Sequence, residues 1–300
     1  MKRITSIGEI LFDIYPKGKK LGGAPFNFIY HIIKLTGKGN FISRIGNDDQ
    51  GKDILDYLKK ENISTEYIQT DEIHKTGAAK TNLSKDKIPG FVIEKDSAYD
   101  FIEKSSAVDD LIENKTDCLY FGTLAQRNEK SRSTIQSLFN NRVQKYFCDL
   151  NIRQDFYSKS VIEKSLTAAD VLKLNEEELK LINDLLLGSE YSLHNSAKRI
   201  AEAFSIEMLC ITMGSGGAFL FRGREENFFQ SKNDVVEDTV GAGDAFASIL
   251  CIGFLNNWKI NKINRLATEF ANEIVKIEGA LPRDDKIYDT YRKKLNHENK

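Results

Sequence analysis

The sequence predicts an α/β fold whose central sheet is mostly parallel and covered by helices on both faces. Three observations carry this expectation. Short apolar runs alternate with segments whose apolar residues recur at helical spacing, and the alternation continues along most of the 300 residues. Hydrophobic residues make up 41% and charged residues 29%, an ordinary soluble mixture, and a chain this long buries a sizeable core without staples. The chain has four prolines and no low-complexity linker to divide it.

Taken in order, Ile4 to Ile14 reads as a strand. Pro25 to Leu35 follows, with Phe26, Ile29, Ile32 and Ile33 at helical spacing. Phe41 to Ile45 is a strand, and Asp48 to Glu61 a helix with Ile54, Leu55 and Leu58 on one face. Later strands are Cys118 to Phe121, Tyr146 to Leu150, Val171 to Leu174 and Met208 to Thr212. The helical segments Glu129 to Asn140, Val161 to Ala168, Glu176 to Leu187 and Ser196 to Phe204 separate them. Sheets of this kind bind ligands at the carboxyl ends of their strands. One region breaks the alternation: Thr76 to Leu83 and Gly90 to Glu94 read as strands joined by the polar turn Ser84-Lys85-Asp86-Lys87. With the Ile14 to Leu21 loop they form either a small β flap or a plain hairpin on the sheet edge.

Composition excludes several functions. With 43 basic and 44 acidic residues the net charge is −1, which gives no support for nucleic-acid binding. No apolar run approaches the roughly 18 residues that span a membrane. A carboxylate, Glu9, interrupts the amino-terminal segment before a signal-peptide core forms, so a cytoplasmic protein is expected. Cys118, Cys148, Cys210 and Cys251 are far apart and read as small buried hydrophobes. His31, His74, His194 and His297 have no partners at metal-ligand spacing.

The strongest chemical signal is Asp238-Thr239-Val240-Gly241-Ala242-Gly243-Asp244, which opens an apolar helix with Phe246, Ile249, Leu250, Gly253 and Phe254 on one side. A glycine-bearing turn at a helix start leaves backbone N–H groups aimed outward, and the helix dipole adds positive potential. Asp244 either caps this helix or serves as a base beside the anion hole, the pairing that phosphoryl transfer to a hydroxyl requires. Asp13 ends a strand, where its carboxylate can accept from two hydroxyls. Gly22 and Gly23 allow close backbone approach, and Asn27 either caps the next helix or reads a hydroxyl. Asn175 and Glu178 share one face of a helix start, where a carboxylate can hold hydrated Mg²⁺. Lys17, Lys19 and Lys20 form a basic cluster that is either a solvated loop or a phosphate reader. Arg127 follows the Cys118 to Phe121 strand and is expected to contact sugar or phosphate.

The run from Asp238 to Asp244 resembles the carboxyl-terminal signature of the ribokinase-like, or PfkB-type, carbohydrate kinases. The resemblance extends in order along the chain, through Gly8-Glu9-Ile10-Leu11-Phe12-Asp13, Gly22-Gly23-Ala24-Pro25-Phe26-Asn27, Ile45-Gly46-Asn47-Asp48-Asp49-Gln50-Gly51 and Asp149-Leu150-Asn151-Ile152-Arg153. It continues through Asn175-Glu176-Glu177-Glu178, Thr212-Met213-Gly214-Ser215-Gly216-Gly217, and the set Ala267, Ala271, Asn272, Val275, Gly279 and Ala280. It implies one ribokinase-like unit over residues 1–300, with a β lid from about 14–21 and 76–94. It implies that Asp244 is the catalytic base and that Gly241, Ala242 and Gly243 form the anion hole. Asp13, Gly23, Asn27, Asn151 and Arg153 would hold sugar; Asn175, Thr212, Gly214, Gly217, Gly243 and Asn272 would hold ATP. Glu178 would hold Mg²⁺ through water, and Asp238 with the Val240 carbonyl a K⁺ ion. The implied activity is ATP-dependent phosphorylation of a sugar hydroxyl, most like that of fructokinases, in a protein that can pair as a homodimer through the lid. A 2-keto-3-deoxygluconate or nucleoside kinase, and a sugar-binding regulator without chemistry, are the alternatives. The sequence departs from the commoner fructokinase turn by carrying Phe26 and Phe28 where small residues often stand.

Two other motifs fail on inspection. Gly46 to Lys52 has P-loop spacing, but Asp53 stands where Ser or Thr would be needed, and Asp48 and Asp49 repel phosphate. Gly214-Ser215-Gly216-Gly217 is an incomplete dinucleotide motif, because Phe219 stands at its third glycine.

Overall fold

A computed structural model describes residues 2–16, 18–83, 89–140, 142–232 and 235–297. Along the first half of the chain run β1 (Ile4–Ile7), β2 (Leu11–Tyr15), β3 (Gly18–Gly22), α1 (Ala24–Thr36), β4 (Asn40–Gly46), α2 (Asp49–Lys60), β5 (Ile68–Asp71), β6 (Gly77–Leu83), β7 (Pro89–Ile93), α3 (Ser106–Lys115), β8 (Cys118–Phe121) and α4 (Glu129–Ser137). The second half holds β9 (Lys145–Asp149), α5 (Lys159–Ala168), β10 (Val171–Asn175), α6 (Glu176–Ile182), α7 (Leu193–Ala203), β11 (Met208–Thr212), β12 (Ala218–Arg222), β13 (Glu225–Phe229), α8 (Ala242–Leu255), α9 (Ile260–Ile274) and α10 (Lys286–His297). No helix among the described residues is long and apolar enough to cross a membrane.

The main sheet has the order β13-β12-β11-β10-β9-β8-β1-β4-β5. It is parallel from β5 to β11 and antiparallel at the β12 and β13 edge. The inner parallel strands are buried on both faces, their side chains alternating between two cores. Cys118 and Tyr120 of β8 point into a core shared with α1, α8 and α9, whereas Leu119 and Phe121 point into a second core with α3 to α7. All four cysteines are buried and unbridged.

The run Ile4 to Ile14 is not one strand. It breaks at Gly8, whose φ of +148° suits glycine and where a Cβ would stand 2.6 Å from the Pro25 ring. Beyond the break β2 enters a second sheet of order β3-β2-β6-β7. The Ile14 to Leu21 segment is therefore largely a hairpin, with Asp13 opposite Lys20, rather than a loop. Because β6 pairs with β2 and not with the main sheet, the edge-hairpin alternative does not hold. The turn Ser84-Lys85-Asp86-Lys87 lies outside the described residues, as does Lys17. The Glu176 to Leu187 helix also divides, since Asn183–Leu187 widens into a π turn closed by Gly188 at φ +57°. Asn183 Oδ1 there accepts hydrogen bonds from the Ser189 and Ser196 hydroxyls.

The second sheet is rooted by two buried polar contacts. Asp48 caps α2 by accepting from Gly51 N and also accepts from Thr76 N and Oγ1 just before β6. The Gly46 to Gly51 motif is thus a structural tie, because Cβ atoms at Gly46 and Gly51 would collide with Thr76 N at 2.6 Å and Gly46 O at 2.1 Å. The other root is Arg127. Its guanidinium donates to both oxygens of Asp100 and to the Glu94 carbonyl at the end of β7, and it packs over Tyr99 and Phe156. The sequence places Arg127 against sugar or phosphate; its side chain is instead 7% exposed and engaged in this ion pair.

Removing one member of a buried pair strands the other charge. Arg127→Met is expected to cost about 3–5 kcal/mol of stability, read from the denaturant midpoint, and Arg127→Lys to recover little because it cannot span both Asp100 oxygens.

Candidate active site

At the carboxyl ends of the parallel strands two cavities meet. The larger, about 550 Å³, is lined by Glu9, Asp13, Gly23, Asn27, Arg153, Lys173 and Asp244, with Leu11, Ala79 and Ile93 of the second sheet over it. The smaller, about 280 Å³, lies among Thr212, Gly214, Gly217, Val236, Phe246, Ala271, Asn272 and Val275. Thr239 and Gly243 line both. The wall between the cavities is therefore the start of α8.

That wall is built from small residues for steric reasons. Gly241, the N-cap of α8, has φ +79°, and a Cβ there would meet Ala280 Cβ at 2.3 Å. A Cβ at Gly243 would stand 3.3 Å from Lys173 Nζ. No side chain caps α8. Asp244 stands in its first turn but accepts from Asn27 Nδ2 at 2.8 Å instead of from its own helix amides. This excludes the capping role and leaves the carboxylate facing the larger cavity. Burial pushes the Asp244 carboxyl up to about 7; the Asp149 charge adds to this, while Asn27 and Lys173 oppose it. Burial likewise raises Asp13 to about 6, against the pull of Arg153.

The other residues that the resemblance assigns to sugar come together at the larger cavity. Gly23 has φ +107° and no room for a Cβ, which would lie 2.6 Å from Glu9 O. Asn27 does not cap α1; its Oδ1 is buried without a hydrogen-bond partner beside the cavity. Asn151, at φ +44°, and Arg153 line the cavity in the loop after β9. Phe26 and Phe28 do not shape the cavity. Both are fully buried, and Phe28 stacks on Tyr120 with ring centroids 3.8 Å apart.

Three expected ligand residues are occupied by the fold itself. Asn175 and Glu178 form a reciprocal capping box at the start of α6, and Glu178 also accepts from Ile152 N. Both Glu178 oxygens thus take backbone amides, and the residue lines neither cavity. Asp238 accepts from Val240 N at 3.0 Å and Gly279 N at 2.9 Å, with Lys20 Nζ 3.8 Å from it. Among the described residues no group of three or more His, Cys, Asp or Glu side chains is arranged to hold a metal.

The pfkB family carbohydrate kinase signature matches residues 1–286. The chain belongs to that family. This sugar kinase is 27% identical over 296 residues to a fructokinase of Vibrio alginolyticus, covering 91% of each chain. It superposes with TM-score 0.76 on a sugar kinase of Pyrococcus horikoshii in complex with ATP, at 27% identity over 95% of this chain and 99% of that one. A fructokinase double mutant of Vibrio cholerae, bound to fructose, ADP and potassium, shares the fold with TM-score 0.76 at 23% identity over 96% and 98% of the two chains.

Three residues that line the cavities have no role in the sequence reading, two of them in the larger cavity. Glu9, which the sequence offers only as a carboxylate within the Gly8 to Asp13 run, lines the larger cavity and is 2% exposed. Lys173 sat unremarked inside an apolar strand. It donates to both oxygens of Asp149 at 2.9 and 2.8 Å, which also accepts from Tyr120 Oη. A lone lysine in such a strand was the available signal, because an unpaired charge is not kept there. In the smaller cavity it is Thr268, whose buried Oγ1 has no hydrogen-bond partner among the described residues.

A carboxyl raised from its ordinary 3.8 to about 7 destabilises the fold once it must ionise. Its favourable contribution is complete below about pH 4 and is lost as pH rises through about 7. Asp244→Asn is therefore expected to melt higher than the parent at pH 8. Melts from pH 4 to 8 should show the gap opening upward in pH; a gap that widens toward acid contradicts the shift.

Proposed function

We propose that this sugar kinase transfers the γ-phosphoryl group of ATP to a hydroxyl of fructose. The observation that carries the reading is the start of α8, which lines both cavities and carries Asp244 on the larger side. A sugar in the larger cavity and a nucleotide in the smaller would meet across Gly243. Asp13, Asn27 and Arg153 orient the sugar. The Asp244 carboxylate takes the proton of the attacking hydroxyl. The amides of Gly241 and Gly243 would face the charge on the phosphoryl oxygens, while Ala242 N is held by Thr239 O. Val236, Phe246, Ala271 and Val275 suit the flat apolar faces of an adenine, and Thr268 Oγ1 offers it a hydrogen bond. The relatives named fructokinase support fructose over other sugars.

Mg²⁺ neutralises phosphate charge when bound. Among the described residues no carboxylate cage stands ready, and Asn175 and Glu178 are engaged with each other, so the ion would be held chiefly by the phosphates and water. The K⁺ site fits poorly, because both Asp238 oxygens are occupied by amides and the Lys20 ammonium already faces them. The second sheet serves as the lid, its strands β2 and β6 carrying Leu11 and Ala79 over the sugar.

Release of ADP across a panel of sugars tests the assignment, with fructose expected to give the highest kcat/KM. Asp244→Asn should lower kcat by roughly 10²–10⁴ and leave the sugar KM within a few-fold. Near-parental turnover in a folded variant would remove the base. Chelation should abolish turnover and added Mg²⁺ should restore it; activity that persists in excess chelator contradicts the metal reading.

A further inference from the structure

Of the basic cluster before Gly22, Lys19 and Lys20 both belong to β3, where neighbouring side chains alternate between the faces of the sheet. Lys19 pairs with Asp53. Lys20 stands directly opposite Asp13 in the β2–β3 ladder and so shares the face that carries Asp13 to the larger cavity. Its ammonium does not line that cavity. It lies 3.0 Å from Glu278 Oε1 and 3.8 Å from Asp238 Oδ2, over the Tyr15 ring. Its stem packs so closely on the next turn that a Cβ at Gly279 would stand 3.0 Å from Lys20 Cδ. One side chain thus runs from the second sheet to the turn that opens α8. Asp238 pins that turn by accepting from Val240 N and Gly279 N, beside the point where Gly241 closes on Ala280. The pin is a carboxylate, so it sets a negative charge just before the helix start that is to hold phosphate charge. A cation beside it cancels that opposition.

We propose that Lys20 is the resident cation of the phosphoryl site: its ammonium takes the place of a dissociable monovalent ion at Asp238, so that transfer proceeds without K⁺. The inference rests on reading the start of α8 as the place where phosphoryl charge is held, and it is independent of which sugar fills the larger cavity. Lys20 is a positioning residue, because it acts on the anion hole through Asp238 rather than by touching substrate. The K⁺ ion that the resemblance implies would need the same oxygens, which two amides and this ammonium already occupy. The Lys20 and Asp238 side chains are 29% and 20% exposed, and a pair this close to water adds little to stability. Its effect is on the local potential. Removing the ammonium leaves the Asp238 and Glu278 carboxylates without the charge they share. The cavity beside it, about 400 Å³ among Lys20, Tyr57, Glu278 and Leu281, then gives a hydrated monovalent ion room to enter.

The test uses the full-length protein and ATP free of potassium. Turnover and substrate-free melts are measured in KCl and in tetramethylammonium chloride at equal ionic strength, so that screening is the same in both. The acceptor is fructose, or whichever sugar the ADP-release panel selects. The parent should show the same melting temperature in the two salts and a kcat that agrees within about twofold. Lys20→Ala should lose about tenfold in kcat without K⁺, with the sugar KM within a few-fold, and KCl should restore most of the loss. Its melting temperature should rise in KCl relative to tetramethylammonium. Lys20→Met, which keeps the stem, should behave as Lys20→Ala does. Lys20→Arg, which keeps the charge, should keep the parental kcat and the indifference to K⁺. A parent whose turnover or melting temperature rises with K⁺ overturns the proposal, and that result stands whether or not the variants fold. So does a folded Lys20→Ala or Lys20→Met protein with parental kcat in both salts, or with an equal loss in both. Failure of Lys20 alone leaves turnover in KCl intact. A parent that releases no ADP with any sugar in either salt overturns instead the reading of α8 on which the proposal rests, and the proposal with it.

Discussion

A buried hydrogen bond from Asn27 Nδ2 to Asp244 Oδ2, 2.8 Å long, joins residues 217 apart in sequence and sets the geometry of everything around it. It ties the first turns of α1 and α8. Both helices begin at the carboxyl edge of the sheet, both begin with a glycine at positive φ, and neither is capped by a side chain. Two uncapped helix starts directed at one space create positive potential without spending a side chain on it. The carboxylate between them is held by an amide rather than by a cation. That choice keeps Asp244 basic, because a neutral donor lowers its proton affinity less than an ion pair would. The cation nearby, Lys173, is instead bound to Asp149 beneath the wall. Base and positive charge are thereby kept on separate partners.

Much of the fold was legible because the parallel strands are buried on both faces and read as continuous apolar runs. Met208–Thr212 and Cys118–Phe121 begin and end where their composition says they should. The elements that escaped notice lack that signature. β13, Glu225–Phe229, is an exposed antiparallel edge whose sequence is mixed, and β5 is a four-residue edge strand with one buried side chain. Helix α10 is highly charged, so its apolar face is narrow. The break at Gly8 was hidden for a different reason. Apolar residues continue on both sides of it, and only the close approach of Pro25, a tertiary contact, forces the turn.

The site was legible where the chemistry needs glycine or a carboxylate in a fixed local context, as at Gly23, Gly241 and Asp244. It was misread where a polar residue at the right edge is consumed by the fold. Arg127 emerges from a strand end near the cavity, but Asp100 comes from a 3₁₀ turn that periodicity does not reveal, and that partner decides its role. Glu178 is spent on Asn175 N and Ile152 N, which holds the loop carrying Arg153 in place. Glu9 and Lys173 escaped because a single charged letter inside an apolar run is easily read as noise. Inside a two-faced sheet the opposite inference is sounder, since burial makes an unexplained charge expensive.

The same expense connects the lid to the chemistry. Glu9, Asp13 and Asp244 are all pushed up by burial, two of them to about 7 and Asp13 to about 6. Such a cluster favours its neutral forms and resists ionising in the empty cavity. On the proposed reading, a sugar hydroxyl donated to Asp13 would reverse the balance there by stabilising its charge, while Asp244 would keep its high basicity for the hydroxyl that reacts. Leu11, Ala79 and Ile93 contribute no hydrogen bonds from their side chains. What they contribute is exclusion of water, which strengthens every remaining charge interaction and removes the competing nucleophile. The apolar underside of the second sheet and the crowded carboxylates beneath it thus act on one another: the sheet makes the carboxylates costly to ionise, and on the proposed reading a seated sugar would relieve that cost.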